Sequence, residues 1–154
     1  MPIDWFSAIK NIPELISGLG NLIKNNQATK DLLIRELRLN IKAFHTAHKS
    51  KKINFDKLLE LLQNEAIQNA RKNRFAFNTI KMGTIDKSEI RDERNYRYEG
   101  KDCNWLFKNI DEKIEDLRNQ QKYHGSLNSI ENTNIALQFS NLLYKLKLLA
   151  EYIH

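Results

Sequence analysis

Apolar side chains recur every three to four residues along most of this chain, which is the spacing that one buried face of an α-helix requires. The first such run covers residues 3–24, where Pro13 predicts either two short helices or one kinked helix. The second run predicts a helix of about twenty residues, which Asn26 or Thr29 can cap and which ends near residues 49–52.

Two further runs predict the next helices. The third helix has Asn54 as its cap and continues toward Phe77 as one long element. The fourth helix is expected to begin near Asp102, to carry its apolar residues on one face, and to end at about Asn119.

A last helix with a wide apolar stripe follows a cap at Ser126 or Ser129. The chain contains no valine and is rich in Leu, Ile, Lys, Glu, Asn and Gln, which argues against a β-sheet. We therefore predict an all-α fold, an antiparallel bundle of four long helices plus a short N-terminal helical segment. One domain would span residues 1–154, with the amphipathic segment over 1–25 and the bundle over 26–154.

Composition narrows the class of protein. Apolar residues make up 41% of the chain and charged residues 29%, with only five glycines and two prolines, which is typical of an ordered helical protein. The net charge of +6 and the pI near 9.4 favour polyanionic partners such as RNA. Cys103 is the single cysteine, and neither a signal peptide nor a bilayer-length apolar run is present. These features predict a cytoplasmic protein without an integral membrane span.

One stretch, at the junction of the last two predicted helices, indicates a specific chemistry. It reads Arg118, Asn119, Gln, Gln, Lys, Tyr, His124, Gly125. An arginine can hold a phosphate through a planar fork of donors, and a histidine can transfer a proton near neutral pH. On one unbroken helix the two side chains would point apart, so their convergence requires a bend between them. Gly125 supplies the expected stop.

The sequence Arg118-Asn119, then four residues, then His124-Gly125 resembles the signature of the HEPN family, small helical domains found in toxins and antiviral abortive-infection proteins. The resemblance implies metal-independent RNA cleavage without a cofactor, at a site that two protomers of a homodimer build. It also implies that Arg118 binds the scissile phosphate, that His124 transfers the proton, and that Asn119 orients one of them.

A structural interpretation of the same residues stays open. Arg118 would then be a cation near the terminal carbonyls of its helix, and His124 a helix-capping residue. The protein would be a non-catalytic adaptor whose apolar N-terminal segment and last helix contact a protein partner. The same N-terminal segment could instead lie on a membrane surface.

Residues 84–101 form the most polar long segment, and its basic residues alternate with aromatic ones. Such a pattern can clamp backbone phosphates and stack exposed bases, although five acidic residues within it also fit a solvated connector. The residues predicted to contact RNA are Arg91, Arg94, Tyr96, Arg97 and Tyr98, together with Lys122 and Tyr123 beside the motif histidine.

Two other constellations are weaker. Arg38 and His45 form a second Arg-to-His pair, but the following Asn and Gly are missing. His45 and His48 could share a metal ion, but the sequence offers no third ligand at a convincing spacing, so we predict no metal site.

Overall fold

The computed structural model describes residues 5–23, 28–130 and 134–154. Over these ranges it contains seven α-helices, three short 3₁₀ helices and no strand, which confirms the predicted all-α class. The α-helices are α1 (Trp5–Ile9), α2 (Ile12–Leu22), α3 (Ala28–His48), α4 (Phe55–Leu61), α5 (Glu65–Lys72), α6 (Cys103–His124) and α7 (Ile135–Ile153). The 3₁₀ helices are Phe77–Thr79, Lys87–Glu89 and Glu93–Tyr98.

The N-terminal segment forms two short helices, as Pro13 indicated. Pro13 lies in the first turn of α2, and Asn11, in the left-handed region with φ 67°, separates α2 from α1. The apolar face of α2 packs on α3 and α7, and Ile12, Leu15 and Leu19 are buried there. This face is therefore covered by the chain itself, so its apolar character does not require a partner protein or a membrane.

The third helix was predicted wrongly as one long element. The structure instead has α4 and α5, and the backbone is extended at Leu62 between them. Asn54 caps α4 as expected, because its side chain accepts a 3.2 Å hydrogen bond from the backbone N–H of Lys57. Over the described ranges the long helices are α3, α6 and α7, so the structure does not confirm the predicted antiparallel bundle of four long helices.

Several predicted helix ends also differ. Thr29 is already helical in α3, so it is not its cap, and Asn26 lies outside the described residues. Asn134 caps α7 by accepting from the backbone N–H of Leu137 at 3.0 Å, whereas Ser126 and Ser129 belong to the preceding loop. The reason is that a cap must lie directly before the first helical turn, and α7 begins at Ile135, several residues after both serines.

The core is centred on α7, which is buried along most of its length. Phe139 is fully buried between Phe44 and Phe55, with ring centroids 6.3 and 5.1 Å away. Burial also raises the pKa of the Cys103 thiol to about 12, which makes this cysteine a protonated packing residue.

None of the helices over the described ranges is both long and apolar enough to cross a lipid bilayer.

Candidate functional site

The motif lies on a single unbroken helix, so the predicted bend between Arg118 and His124 is absent. Helix α6 begins after its cap Asp102, as expected, but it continues to His124 instead of ending at Asn119. Six helical steps separate the two motif side chains by about 9 Å along the axis and by roughly 120° around it. Within one protomer, Arg118 and His124 therefore leave the helix in different directions.

Arg118 is held by the segment that joins α4 to α5. Its Nη1 donates to the Oδ1 of Asn64 and, at 3.1 Å, to a carboxylate oxygen of Glu115. Its Nη2 donates to the backbone carbonyl of Leu62 at 3.1 Å. The guanidinium thus provides a cation beside a terminal carbonyl of α4, which is a favourable position for it.

The break between α4 and α5 leaves backbone groups that distant side chains satisfy. Both the N–H and the C=O of Gln63 pair with the side-chain amide of Asn40, each at 2.7 Å. The first N–H groups of α5, those of Ala66 and Ile67, donate to the Glu36 carboxylate at 2.8 and 3.0 Å. Asn40 and Glu36 both belong to α3. Helix α3 therefore provides hydrogen-bond partners for backbone groups that have no partner within α4 or α5.

Helix α6 contributes the other half of this polar cluster. The buried Asn64 donates to Asp111 and to Glu115, both at 2.8 Å, while it accepts from Arg118. Asp111 also accepts from Arg71 of α5 at 2.6 Å. We call Glu36, Asn40, Asn64, Arg71, Asp111, Glu115 and Arg118, with the backbone of residues 62–67, the α4–α5 junction.

The surroundings of Arg118 are acidic. It lines an open groove of about 540 Å³ together with Glu60, Gln63, Asn64, Glu65 and Gln68. The hydrogen bond from Asn64 and the charge of Arg118 lower the pKa of Glu115, so this carboxylate is ionised at neutral pH. A phosphate that approached Arg118 here would meet several carboxylates, which weakens its attraction to the guanidinium.

The remaining motif residues lie at the exposed end of α6. Asn119, Lys122, Tyr123 and His124 are all exposed, and the rings of Tyr123 and His124 meet edge to face with centroids 4.9 Å apart. Gly125 ends the helix with φ 81°, and its N–H donates to the carbonyl of Gln121 at 2.8 Å. The structure therefore presents an accessible imidazole, but does not bring it to Arg118 within one protomer.

The polar segment over residues 84–101 is attached to the bundle. Arg94 donates to Ser140 at 3.1 Å and to Asn141 at 2.8 Å, and its guanidinium lies over the Tyr144 ring, 4.3 Å from the centroid. Tyr98 is buried. Among the other residues predicted to contact RNA here, Arg91, Tyr96 and Arg97 are exposed. The segment is therefore a surface built on α7, and not only a solvated connector.

The second Arg-to-His pair has a structural explanation. The Nε of Arg38 donates to the backbone carbonyl of Ile16 at 3.0 Å and so joins α3 to α2. His45 and His48 do not belong to a metal cluster in the part of the chain that the structure describes, since no three His, Cys, Asp or Glu side chains there are placed to hold an ion.

Two charged residues of α7 were not identified from the sequence. Lys145 and Lys147 lie within a helix that reads as an apolar stripe, yet both are buried, with 5% and 1% of their surface exposed. Lys147 pairs with Asp92 at 3.5 Å. Their burial could have been inferred only from the apolar residues around them in α7. A helix with apolar residues on most of its surface leaves a lysine little solvent-facing surface.

A small cavity of about 180 Å³ lies where α2 approaches the end of α7. Asn11, Glu14, Leu15, Arg91, Glu151 and His154 line it. Burial raises the pKa of Glu151 to about 7, Asp92 adds to this effect, and Lys147 and Arg91 oppose it. One carboxylate oxygen of Glu151 is buried without a hydrogen-bond partner among the described residues.

Glu151→Gln is expected to stabilise the protein at pH 8 by about 1 kcal/mol after solvent screening, and to change little at pH 5. Because the folded-state pKa of Glu151 lies above its ordinary value, the native state binds the proton more tightly, and wild-type stability falls as the pH rises from 4.5 toward 7. Urea denaturation at both pH values measures this difference. Glu99→Gln is the control, because Glu99 is exposed and does not line this cavity; equal effects of the two variants at pH 8 would contradict the assignment.

Comparisons with protein-family models, with curated proteins and with solved structures found no match to this chain.

Proposed function

We propose that this chain is a non-catalytic helical module that binds RNA. The observation that carries the proposal is a group of cations gathered around aromatic rings where residues 94–105 pack on α7. Arg97 lies 4.9 Å from the centroid of the Tyr98 ring, and Lys101 lies 5.0 Å from that of Trp105. We call Arg94, Arg97, Tyr98, Lys101, Trp105, Tyr144 and Lys145 the basic–aromatic surface, in which Arg94, Arg97, Lys101 and Trp105 reach solvent while Tyr98, Tyr144 and Lys145 are buried. Cations that rest on rings are pre-oriented for phosphate oxygens, and the net charge of +6 favours the same partner.

The motif arginine supports the non-catalytic part of this proposal. Arg118 makes three hydrogen bonds to the α4–α5 junction, and the neighbouring Glu115 balances its charge. A side chain that stabilises the junction has a sufficient reason to be present without any reaction. We therefore assign Arg118 to the fold and the binding of RNA to the basic–aromatic surface.

The test is the affinity of the protein for a labelled single-stranded RNA, measured by fluorescence polarisation at salt concentrations from about 50 to about 200 mM. We expect affinity to fall steeply with salt, because contacts with phosphates release counterions. Polyglutamate of equal charge is the competitor that separates RNA from an acidic protein partner. Equal competition by polyglutamate, or no binding at the lowest salt, would reject RNA as the partner.

A HEPN-like endoribonuclease, acting as a homodimeric toxin or antiviral effector, is the second candidate. The observation that favours it is the state of the Arg118 side chain, which is 31% exposed and held by three hydrogen bonds. These bonds use three of its five N–H donors, so two donors have no acceptor among the described residues. Because His124 lies elsewhere around α6, the site would have to combine Arg118 of one protomer with His124 of the other. Asn119 is exposed between them and would orient the phosphate or the imidazole.

Incubation of the protein with total RNA in the presence of a chelator decides between the two candidates. We expect no cleavage above the buffer control. His124→Ala provides the clean comparison, since His124 is exposed and its loss should leave Tm unchanged. Cleavage by the wild type that falls at least about 100-fold in His124→Ala but persists in His48→Ala would establish the ribonuclease instead.

A further inference from the structure

Lys145 is a buried cation that forms no ion pair with a carboxylate among the described residues. Its side chain belongs to α7, is 5% exposed, and places its ammonium 5.7 Å from the centroid of the Tyr98 ring. Arg97 contacts the same ring at 4.9 Å. The Tyr98 ring therefore has two cations within about 6 Å of its centroid, one buried and one exposed.

Like charges converge on this ammonium. Burial, together with the charges of Lys113 on α6 and of Arg97, lowers the pKa of Lys145 to about 8. No carboxylate in the described ranges forms an ion pair with Lys145. In contrast, Lys147 has Asp92 as its partner at 3.5 Å, and Arg71 has Asp111 at 2.6 Å.

An unpaired buried charge surrounded by like charges is unfavourable for the free protein. The cost is reduced when an anion with several acceptor oxygens binds to these cations, because each ammonium and guanidinium can then donate a charge-assisted hydrogen bond. A phosphate group has such oxygens on all sides, so it can accept from donors on three elements at once. The exposed Arg97 gives the anion access from solvent.

We propose that Arg97, Lys113 and Lys145 form a binding site for one phosphate group of RNA. The site rests on the proposed RNA-binding function and names the residues that perform it. Lys101, which lies over Trp105 next to Tyr98, is placed to contact the adjacent phosphate, since the Tyr98 and Trp105 rings are 5.4 Å apart. Tyr96 is 38% exposed on the same segment and offers a ring on which a base can stack.

Three variants test the site in the full chain. Arg97→Gln, Lys113→Gln and Lys145→Met each remove one positive charge, and Lys108→Gln removes one from an exposed position of the same helix α6. We expect each of the three to weaken RNA binding about 5- to 20-fold at low salt and to lower the slope of log affinity against log salt by about one. Lys108→Gln should change affinity less than about twofold.

Stability provides a second, independent readout. Methionine keeps the apolar stem of Lys145 but removes the uncompensated charge, so Lys145→Met should have an equal or higher Tm than the wild type. A lower Tm would show that the ammonium already has a partner in the free protein, and this would overturn the site. Inorganic phosphate should raise the Tm of the wild type, and it should raise that of Lys113→Gln less.

The outcomes separate this site from the proposed function. RNA binding that all four variants retain equally rejects the site while the function stands. Absence of RNA binding together with a phosphate-dependent Tm that Lys113→Gln loses rejects the function while the anion site stands, with free phosphate as its ligand. Failure of both RNA and inorganic phosphate to bind the wild type rejects both.

Discussion

Arg118→Ala is expected to lower the free energy of unfolding by about 3 kcal/mol, because it removes three hydrogen bonds at once. The buried Asn64 loses the donor to its side-chain oxygen, and the carbonyl of Leu62 loses its partner at the end of α4. Glu115 loses its counter-charge beside Asp111. The cost should appear as a drop in Tm of roughly 6 to 12 °C for a chain of this size.

Urea denaturation followed by circular dichroism measures this loss. Arg35→Ala is the matched control, since Arg35 is exposed on α3, and it should stay within about 0.5 kcal/mol of the wild type. Arg118→Lys should give an intermediate value, because a lysine keeps the charge but cannot form the planar fork. An Arg118→Ala protein as stable as the wild type would contradict the structural assignment of Arg118 and return attention to catalysis.

The second large effect is expected at Glu36, where Glu36→Ala should cost about 3 kcal/mol. Its carboxylate is 4% exposed and accepts from the N–H groups of Ala66 and Ile67, which open α5. Burial raises the pKa of Glu36, and the two backbone hydrogen bonds oppose this shift. Alanine would leave both N–H groups without this acceptor, that of Ile67 in a buried position, and would remove the anion from the positive end of α5.

Hydrogen exchange of the Ala66 and Ile67 amides locates this effect. Both amides should lose protection strongly in Glu36→Ala, because α5 opens locally. The amides of α7 should lose only the protection that corresponds to the fall in the free energy of global unfolding. Glu60→Ala is the control, because Glu60 is exposed and pairs only with Lys57 at 3.5 Å across the surface. Retained protection at both amides would mean that α5 does not depend on the carboxylate.

A loss of RNA cleavage or RNA binding in an Arg118 variant can have two causes, removal of a functional group or destabilisation of the fold. A substitution that weakens the α4–α5 junction can reduce any activity by unfolding the protein. His124→Ala avoids this problem, since His124 is exposed at the end of α6. His124 variants therefore test the ribonuclease candidate without changing the fold, which Arg118 variants cannot do.

The elements that could be predicted are those that depend on neighbours in sequence. Asn54 caps α4 as expected, and α6 begins next to Asp102 as expected; each of these side chains accepts from an N–H three residues further on. The position of Gly125 directly after α6 also agrees with the expected stop. The continuity of α6 could have been predicted as well, since nothing between Arg118 and His124 is a helix breaker.

The candidate site was less predictable. Arg118 looked like a free phosphate ligand, but its partners Asn64 and Leu62 lie 54 and 56 positions away along the chain. Lys145 reads as one polar residue in an apolar stripe. Its unfavourable position becomes visible only when Arg97 and Lys113, from two other elements, are placed beside it.

The sequence by itself determined the helical class, most helix positions, the cap at Asn54 and the basic charge, because hydrophobic periodicity and capping act over short distances along the chain and charge follows from composition. The tertiary structure alone decided where the third helical run breaks, what Arg118 contacts and which lysines are buried. These features depend on polar groups that meet only after the helices have packed, since a buried backbone or charged group must find its partner wherever the fold provides one.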